Sequence, residues 1–403
     1  MSATLVRRNT LLLAAGMACL TGMLQLVAAM STITFVIVSG VEGLLGLGAA
    51  LVLGATAVIA FPAGRAMDRR GRVPVLLAGF AAGAAGTALV AYAVSSESPI
   101  PAIPGFALIG TAMGIVNLAR TAAGDMYPPA RRARGISIVI FGSVFGAVLG
   151  PTVFSPLFGR EGAGTETLVL GWLAGTAIML VGMGIVSRVR LARPQAEPAG
   201  GRNPGAIGDS GRPLSELLRE PGVVPALAAA VASFAVMVAV MNLSGHVIVS
   251  HGHARHEIFP VVSAHVVGMF GLALVVGGLV DRIGRPVALT GGLLLVSLSC
   301  ASLAWVESVA GMAVALFVLG LGWSFSFVAA TAELSDATEE VERGRLLGFN
   351  DALSAGLGAT LALLGGLTLS AAGAAALGVG AAAIALAPVS WYAASARLRP
   401  ART

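Results

Sequence analysis

The stretch "GRAMDRRGR", Gly64 to Arg72, returns in altered form as "GGLVDRIGR", Gly277 to Arg285. A second pair of related stretches, "DMYPPARRARG" and "LSDATEEVERGR", follows each copy in the same order. Two ordered matches predict a chain built from two copies of one unit. Identical residues stand at the same spacing in the first pair, namely Gly64, Asp68, Arg69, Gly71 and Arg72, then Gly277, Asp281, Arg282, Gly284 and Arg285.

The sequence around these stretches is strongly apolar. Charged residues make up 11% of the chain and the mean hydropathy is +0.90, whereas soluble domains carry about 25% charged residues. About 20 apolar residues cross a bilayer as a helix, and the alternating pattern of a membrane barrel strand is absent. The sequence therefore predicts twelve membrane-spanning helices, at 10–31, 43–63, 74–94, 102–124, 136–156, 167–187, 222–250, 258–278, 287–306, 309–332, 347–369 and 372–394.

A polar segment divides these spans into two sets of six. It is rich in Pro, Gly and Arg and lacks apolar periodicity, which is typical of a flexible linker. We expect a six-helix bundle at 1–190, a linker at 191–221 and a second six-helix bundle at 222–403. Within the linker, "PLSELLRE" predicts a short amphipathic helix whose Leu214, Leu217 and Leu218 face lipid.

The basic residues predict the orientation. Every one is arginine. If each span crosses the membrane once, all except Arg160 and Arg255 lie on or near the side of the membrane that holds the amino terminus. The positive-inside rule then places both termini in the cytoplasm of a cell whose inner membrane holds the chain. The sequence pI of about 10.5 thus indicates membrane topology rather than nucleic-acid binding. The first apolar run is longer than a signal-peptide core, which favours a retained first helix.

The pattern Gly-x-x-x-Asp-Arg-x-Gly-Arg between the second and third spans resembles the signature of the major facilitator superfamily, and the resemblance covers essentially the whole chain. It implies an all-α integral membrane protein of two pseudo-symmetric six-helix bundles. It also implies that Asp68 and Asp281, with their arginines, act as elements of a cytoplasmic gate. An anion at a helix N-terminus is stabilised by about 0.3–1 kcal/mol, which suits a latch that must open.

The fifth span contains "GSVFGAVLGP", with Gly142, Gly146, Gly150 and Pro151. Glycines four residues apart let a neighbouring helix approach closely, and close packing between the two halves is one interpretation. The other is that the stretch resembles the antiporter motif of the family's proton-coupled exporters, although Val153 and Phe154 stand where a glycine pair is expected. We favour export on this resemblance.

The energy source is predicted from what the sequence lacks. Without lysine there is no phosphate-binding loop of the Gly-Lys-Ser/Thr type, so we expect no cofactor and a proton gradient as the driving force. Ionisable residues inside a membrane are functional candidates. Beside histidines, the candidates for coupling or substrate binding are Glu42, Asp351, Asn117 and Arg120, the last two on one helical face.

All 5 histidines lie in "MNLSGHVIVSHGHARHEIFPVVSAHVVG". His246 and His265 fall within predicted spans at similar depth, and an unperturbed pKa of about 6.5 suits imidazole for proton exchange. His251, His253 and His256 occupy the outer turn, where they either form a metal site or are hydrated by water. We prefer proton coupling for the first two and leave the second question open.

Together these features predict a secondary transporter that works by alternating access, not an enzyme. We expect proton-coupled efflux of a small amphiphilic molecule by a monomer in the lipid bilayer. Transport of divalent metal through the histidine turn is the main alternative, followed by uptake of an organic anion or nutrient. A di-metal oxygenase would need ligands on several helices, and a channel would not need paired gating loops.

Overall fold

The apolar runs form helices that satisfy their own backbone hydrogen bonds, as the hydrocarbon interior requires. The computed structural model describes residues 3–124, 126–127, 132–158, 165–190, 212–337 and 340–397. In the amino-terminal half the helices are α1 Ala3–Ser39, α2 Leu47–Arg70, α3 Arg72–Ser95, α4 Ala102–Val116, α5 Ala119–Gly124, α6 Arg132–Leu149, α7 Ser155–Phe158 and α8 Thr165–Val186. Residues 191–211 of the predicted linker lie outside the described part of the chain.

In the carboxy-terminal half the helices are α9 Leu214–Leu217, α10 Val223–Ser250, α11 Ile258–Phe270, α12 Ala273–Ile283, α13 Arg285–Ser302, α14 Val309–Asp336 and α15 Glu340–Arg397. Eleven spans follow when three interruptions within spans are recognised, and dividing the last helix gives the twelfth. The fourth span is α4 and α5, the fifth is α6 and α7 joined by a π-helix at Gly150–Phe154, and the eighth is α11 and α12. All twelve predicted spans are thus confirmed as helices.

The last two spans are fused in α15, which contains 58 residues. A straight helix of that length would extend about 87 Å, nearly three times the hydrocarbon thickness. The backbone leaves the helical region at Gly373, where φ is 78°. Leu377 then returns alongside Gly365, so that its Cδ1 lies 3.2 Å from the position of a Cβ at that glycine. The chain therefore makes a hairpin at Gly373.

The repeat predicted from the two related loops is present in the backbone. Helix α2 ends at Gly71 with φ 91° and ψ 159°, and α12 ends at Gly284 with φ 85° and ψ 148°. In each loop the glycine N–H donates to the carbonyl four residues earlier, of Met67 and of Val280, at 3.0 Å. Only glycine adopts such a conformation without strain, which explains its presence in both copies.

The two halves meet along α1 and α10, the most enclosed of the membrane helices: 67% and 83% of their apolar stretches are buried, against 33% for α8. Alternation of the spans defines two ends of the bundle. We call the end with Gly71 and Gly284 the motif end, and the end with residues 251–257 the histidine end. The short helix α9 packs differently from the prediction, because Leu217 is fully buried against Val223 and its neighbours instead of facing lipid.

Candidate functional site

An ion pair connects the two halves toward the motif end. Arg120 on α5 places Nη2 3.9 Å from Oδ2 of Asp351 on α15, and the two side chains are 39% and 55% exposed. The Nδ2 of Asn350 donates to Oδ1 of Asp351 at 3.3 Å. Asn117, the other predicted residue of this group, occupies the turn between α4 and α5. The structure therefore brings Arg120 and Asp351 together on opposite sides of the boundary between the halves.

At the histidine end the halves are in direct contact. The Ser155 hydroxyl donates to the carbonyl of His256 at 2.9 Å. Phe259 on α11 lies 5.5 Å, centroid to centroid, from both Phe154 and Phe158 of the fifth span, stacked with each. Backbone contact adds to this, because a Cβ on Gly245 would lie 2.6 Å from the carbonyl oxygen of Ala29. The molecule is therefore sealed at the histidine end, whereas the charged pair is exposed toward the motif end.

A buried hydrogen-bond cluster lies beneath this seal. Gln25 Nε2 on α1 donates at 3.0 Å both to the carbonyl of Ala147 on α6 and to Ser263 Oγ on α11. The Ser263 hydroxyl donates to the same carbonyl at 2.7 Å. Sequence reasoning missed both side chains, because single uncharged polar residues in apolar spans carry no spacing signal.

The antiporter-like glycines serve two different contacts. Added Cβ atoms at Gly142 and Gly146 would run into the carbonyls of Ala14 and Ala18, so both glycines pack against α1 within the amino-terminal half. Our expectation of packing between the halves holds only at Gly150, where a Cβ would lie 3.1 Å from Ser263 Oγ. Pro151 follows as part of the π-helix. The first two glycines therefore allow close packing of α6 on α1, and Gly150 allows contact with the carboxy-terminal half.

His265 is fully buried between α11 and α14. Its Nδ1 lies 2.8 Å from the carbonyl oxygen of Leu316. A carbonyl only accepts, so Nδ1 carries the proton and Nε2 is the bare nitrogen of the neutral ring. Nε2 has no hydrogen-bond partner among the described residues. His246 is partly buried on α10 and has a partner interaction.

The three histidines of the outer turn do not converge on a metal. The residues that the structure describes contain no group of three or more His, Cys, Asp or Glu side chains able to hold one. His253 instead has Nε2 2.6 Å from the carbonyl oxygen of Glu307 and Nδ1 3.8 Å from Glu257 Oε2. The structure gives the metal alternative no support at His251, His253 and His256.

The gating residues are described only in part. The backbones of both loops are defined. The side chains of Asp68, Arg69, Asp281 and Glu42, and the surroundings of Gly277, lie outside the described part of the structure. Gly64 lies within α2. Arg282 is exposed, and Arg285 Nη1 donates to the carbonyl of Ala332 on α14 at 3.5 Å. Arg72 also has a partner interaction.

An aromatic cluster stands beside the break in the eighth span. Trp323 on α14 stacks on Phe327 at 4.7 Å and meets Phe270 edge-on at 5.9 Å between ring centroids. Its side chain is 7% exposed, and its Nε1 has no hydrogen-bond partner among the described residues. A buried donor without a partner is costly, so this indole is chemically suited to an acceptor that arrives from outside the chain.

Comparison with known proteins adds the family context. The model of the Major Facilitator Superfamily matches residues 11–362 and again 226–402. A riboflavin transporter of Brucella anthropi is 29% identical over 312 residues, 77% of this chain and 76% of that protein. The uncharacterised transporter YdeG of Bacillus subtilis is 30% identical over 344 residues, 82% and 78% of the two chains.

Solved structures share the fold. A D-xylose–proton symporter superposes with a TM-score of 0.72 at 14% identity, covering 95% of this chain and 97% of that one. The POT family transporter PepTSo gives a TM-score of 0.74 at 12% identity, with 97% of this chain and 98% of that one covered. At these identities the likeness describes architecture.

Proposed function

The chain belongs to the major facilitator superfamily, and we propose that it is a secondary carrier that alternates between states open at either end. One observation carries this proposal: the halves are sealed by Phe154, Phe158 and Phe259 at the histidine end, while the Arg120–Asp351 pair is exposed toward the motif end. A fold of two repeats accounts for such asymmetry by rocking one half against the other about a central site.

The substrate we propose is a small, flat organic molecule with polar edges. Support comes from the riboflavin transporter that is 29% identical to this chain. It also comes from Trp323, whose ring stacks in an aromatic cluster while its N–H lacks a partner among the described residues. Aromatic faces and a few placed polar groups are typical of small-molecule sites. Riboflavin is therefore the first compound to test.

Proton coupling is proposed at His265, with His246 and Asp351 as further candidates. The bare Nε2 of His265 can take a proton while Nδ1 keeps its bond to Leu316, so protonation does not require that bond to break. Asp351 can exchange its partner Arg120 for a proton. Intramembrane ionisable groups of this kind form the proton relays of transporters.

For direction, we propose efflux, supported by the antiporter-like stretch Gly142 to Pro151. The excess of arginine at the motif end supports placing that end in the cytoplasm of an inner membrane. We further propose a monomer whose bundles occupy residues 1–190 and 222–403. Reporter fusions at the two termini test the orientation, and the mass of the protein in detergent tests the monomer.

The decisive experiment is counterflow in proteoliposomes loaded with a pH-sensitive dye. Riboflavin, a lipophilic cation and an organic anion are compared using wild type and Trp323→Phe, which keeps an aromatic ring but removes the N–H. We expect riboflavin exchange with proton movement in wild type and weaker exchange in the variant. Thr34→Val is the matched control, since it removes the partner of Trp172 in the other half.

If only the lipophilic cation is exchanged, the proposed substrate class is wrong, but the proposed carrier mechanism is retained. Flux without exchange for any compound would indicate a channel and overturn the proposed function. Zn²⁺ serves as a further control, for which we expect no proton movement.

A further inference from the structure

The contact between Gln25 and Ser263 differs from the aromatic contacts of the seal, because it is a buried hydrogen bond between side chains of opposite halves. Gln25 is 1% exposed and Ser263 is 9% exposed. Both donate to the carbonyl of Ala147, so three spans converge on one oxygen. Ser263 can keep its bond to this carbonyl only while α11 lies against α6.

The cluster leaves one polar atom unused. Both hydrogens of the Gln25 amide are donated, to Ala147 and to Ser263, but its Oε1 is buried with no hydrogen-bond partner among the described residues. A buried acceptor without a donor destabilises the state that buries it. The closed seal is therefore held by hydrogen bonds and at the same time opposed by this oxygen, which water would satisfy once the halves separate.

Gly150 makes room for the contact. A Cβ at this position would lie 3.1 Å from Ser263 Oγ, closer than side chains normally pack, and would contact Gln25 Cδ at 3.4 Å. The π-helix begins at the same residue and includes Pro151. Short π-helical segments are frequent at functional sites, because they alter the local course of a helix. Here the π-helix begins three residues after Ala147, whose carbonyl accepts the hydrogen bonds of the cluster.

We propose that Gln25 and Ser263 are positioning residues that set the balance between the closed and the open histidine end. This inference rests on the proposed carrier mechanism. Gln25 holds Ser263 against Ala147 in the closed state, and in the open state its amide faces the transport pathway. Loss of the Ser263 hydroxyl favours the open histidine end by about three- to tenfold, as expected for one net hydrogen bond. Loss of the Gln25 amide has a smaller effect in the same direction, because the unsatisfied Oε1 that opposes the closed state is removed with it.

The test measures the populations directly with paired spin labels. Tyr92→Cys on α3 and Val314→Cys on α14 provide label sites near the histidine end in opposite halves, and both side chains are exposed, at 60% and 64%. Cys19 and Cys300 are buried and are replaced by alanine to avoid stray labelling. Distance distributions are recorded in lipid nanodiscs for wild type, Gln25→Met, Ser263→Ala and the double variant.

We expect the long-distance population to rise in each single variant. In the double variant, the ratio of the long-distance to the short-distance population should rise by less than the product of the two single-variant increases, because both substitutions remove the same bond. Thr34→Val is the matched control on α1: it removes a buried hydrogen bond to Trp172 inside one half, so the populations should stay those of wild type. Ser263→Ala is a small change, which guards against loss of the fold.

Three results would overturn the proposal, and they differ in what else they remove. Two populations whose ratio does not respond to Gln25→Met or Ser263→Ala would eliminate this role and leave the carrier mechanism intact. One population in wild type and in every variant would eliminate both. If Thr34→Val shifts the two populations by the same amount, the shift in Gln25→Met reflects general loosening of α1 and not the loss of the bond to Ser263.

Discussion

Arg120 on α5 and Asp351 on α15 form an ion pair across the boundary between the halves, with 3.9 Å between Nη2 and Oδ2. Both side chains are more than a third exposed, so screening by solvent makes the pair worth little for stability, about 0–1 kcal/mol. Its position suits an interaction that is made and broken during each transport cycle.

Replacing either partner should therefore reduce transport more than stability. We expect Arg120→Gln and Asp351→Asn to melt within a few degrees of wild type but to exchange substrate slowly. The charge-swapped variant, Arg120→Asp with Asp351→Arg, should recover counterflow if transport requires attraction between the halves. Recovery of counterflow without recovery of proton movement would assign the proton to Asp351.

His265→Asn separates hydrogen bonding from protonation. Asparagine can still donate to the carbonyl of Leu316 but cannot titrate, so the fold should be preserved. We expect substrate counterflow near the wild-type rate and proton movement close to background. His253→Asn, in the outer turn, is the matched control and should retain both activities. Normal proton movement in His265→Asn would exclude this histidine from the coupling step.

Gly146→Ala tests the contact between α6 and α1. The added methyl would lie 2.6 Å from the carbonyl oxygen of Ala18, so either helix must shift, at a cost of about 1–3 kcal/mol. Gly356→Ala is the control, because no atom lies within 4 Å of its Cβ position in α15. Thermal unfolding in detergent should show a lower midpoint for Gly146→Ala and an unchanged or higher one for Gly356→Ala.

Gly71→Ala and Gly284→Ala test the twofold repeat. Both glycines have φ near 90° with an extended ψ, a region that is essentially restricted to glycine and that costs an alanine about 1–3 kcal/mol. The Cβ positions are spacious, with no atom within 4 Å at Gly284 and one carbon of Pro74 at 3.9 Å at Gly71, so conformational strain accounts for the whole effect. We expect similar losses in the unfolding midpoint. A loss at one site alone would show that the loops are not equivalent.

Asp68→Asn tests the gate predicted from the first loop. The change removes the charge and keeps the size of the side chain, so insertion and yield should match wild type. We expect substrate exchange to fall several-fold, whereas Arg70→Gln, an exposed position in the same loop, should have little effect. Wild-type exchange by Asp68→Asn would remove the gate assignment.

The sequence allows the spans and the repeat to be predicted because length and glycine conformation are local properties. The turn at Gly71 and its copy at Gly284 follow from residues within a few positions. The interruptions at Asn117 and Gly271 were missed, since a helix can break within an apolar run without a change in hydropathy. The position of a break depends on packing between distant segments.

The candidate site was predictable where charge singles out a residue. Arg120 and Asp351 are both among the candidates predicted from the sequence, because few ionisable residues lie within the predicted spans. Gln25 and Ser263 were not predictable, since their importance arises from a meeting of α1, α6 and α11 that sequence spacing does not encode. The histidine turn shows the converse: nearness in sequence left a metal site open, and the described residues do not assemble one.

The reversal at Gly373 bears on how the chain enters its membrane during synthesis. Between Asp351 and Arg397 the sequence has no charged residue, and the turn itself is formed by small apolar residues. Nothing in this segment anchors the first of the two spans in water before the second emerges from the ribosome. We therefore expect the two spans to insert together as a hairpin that turns at Gly373.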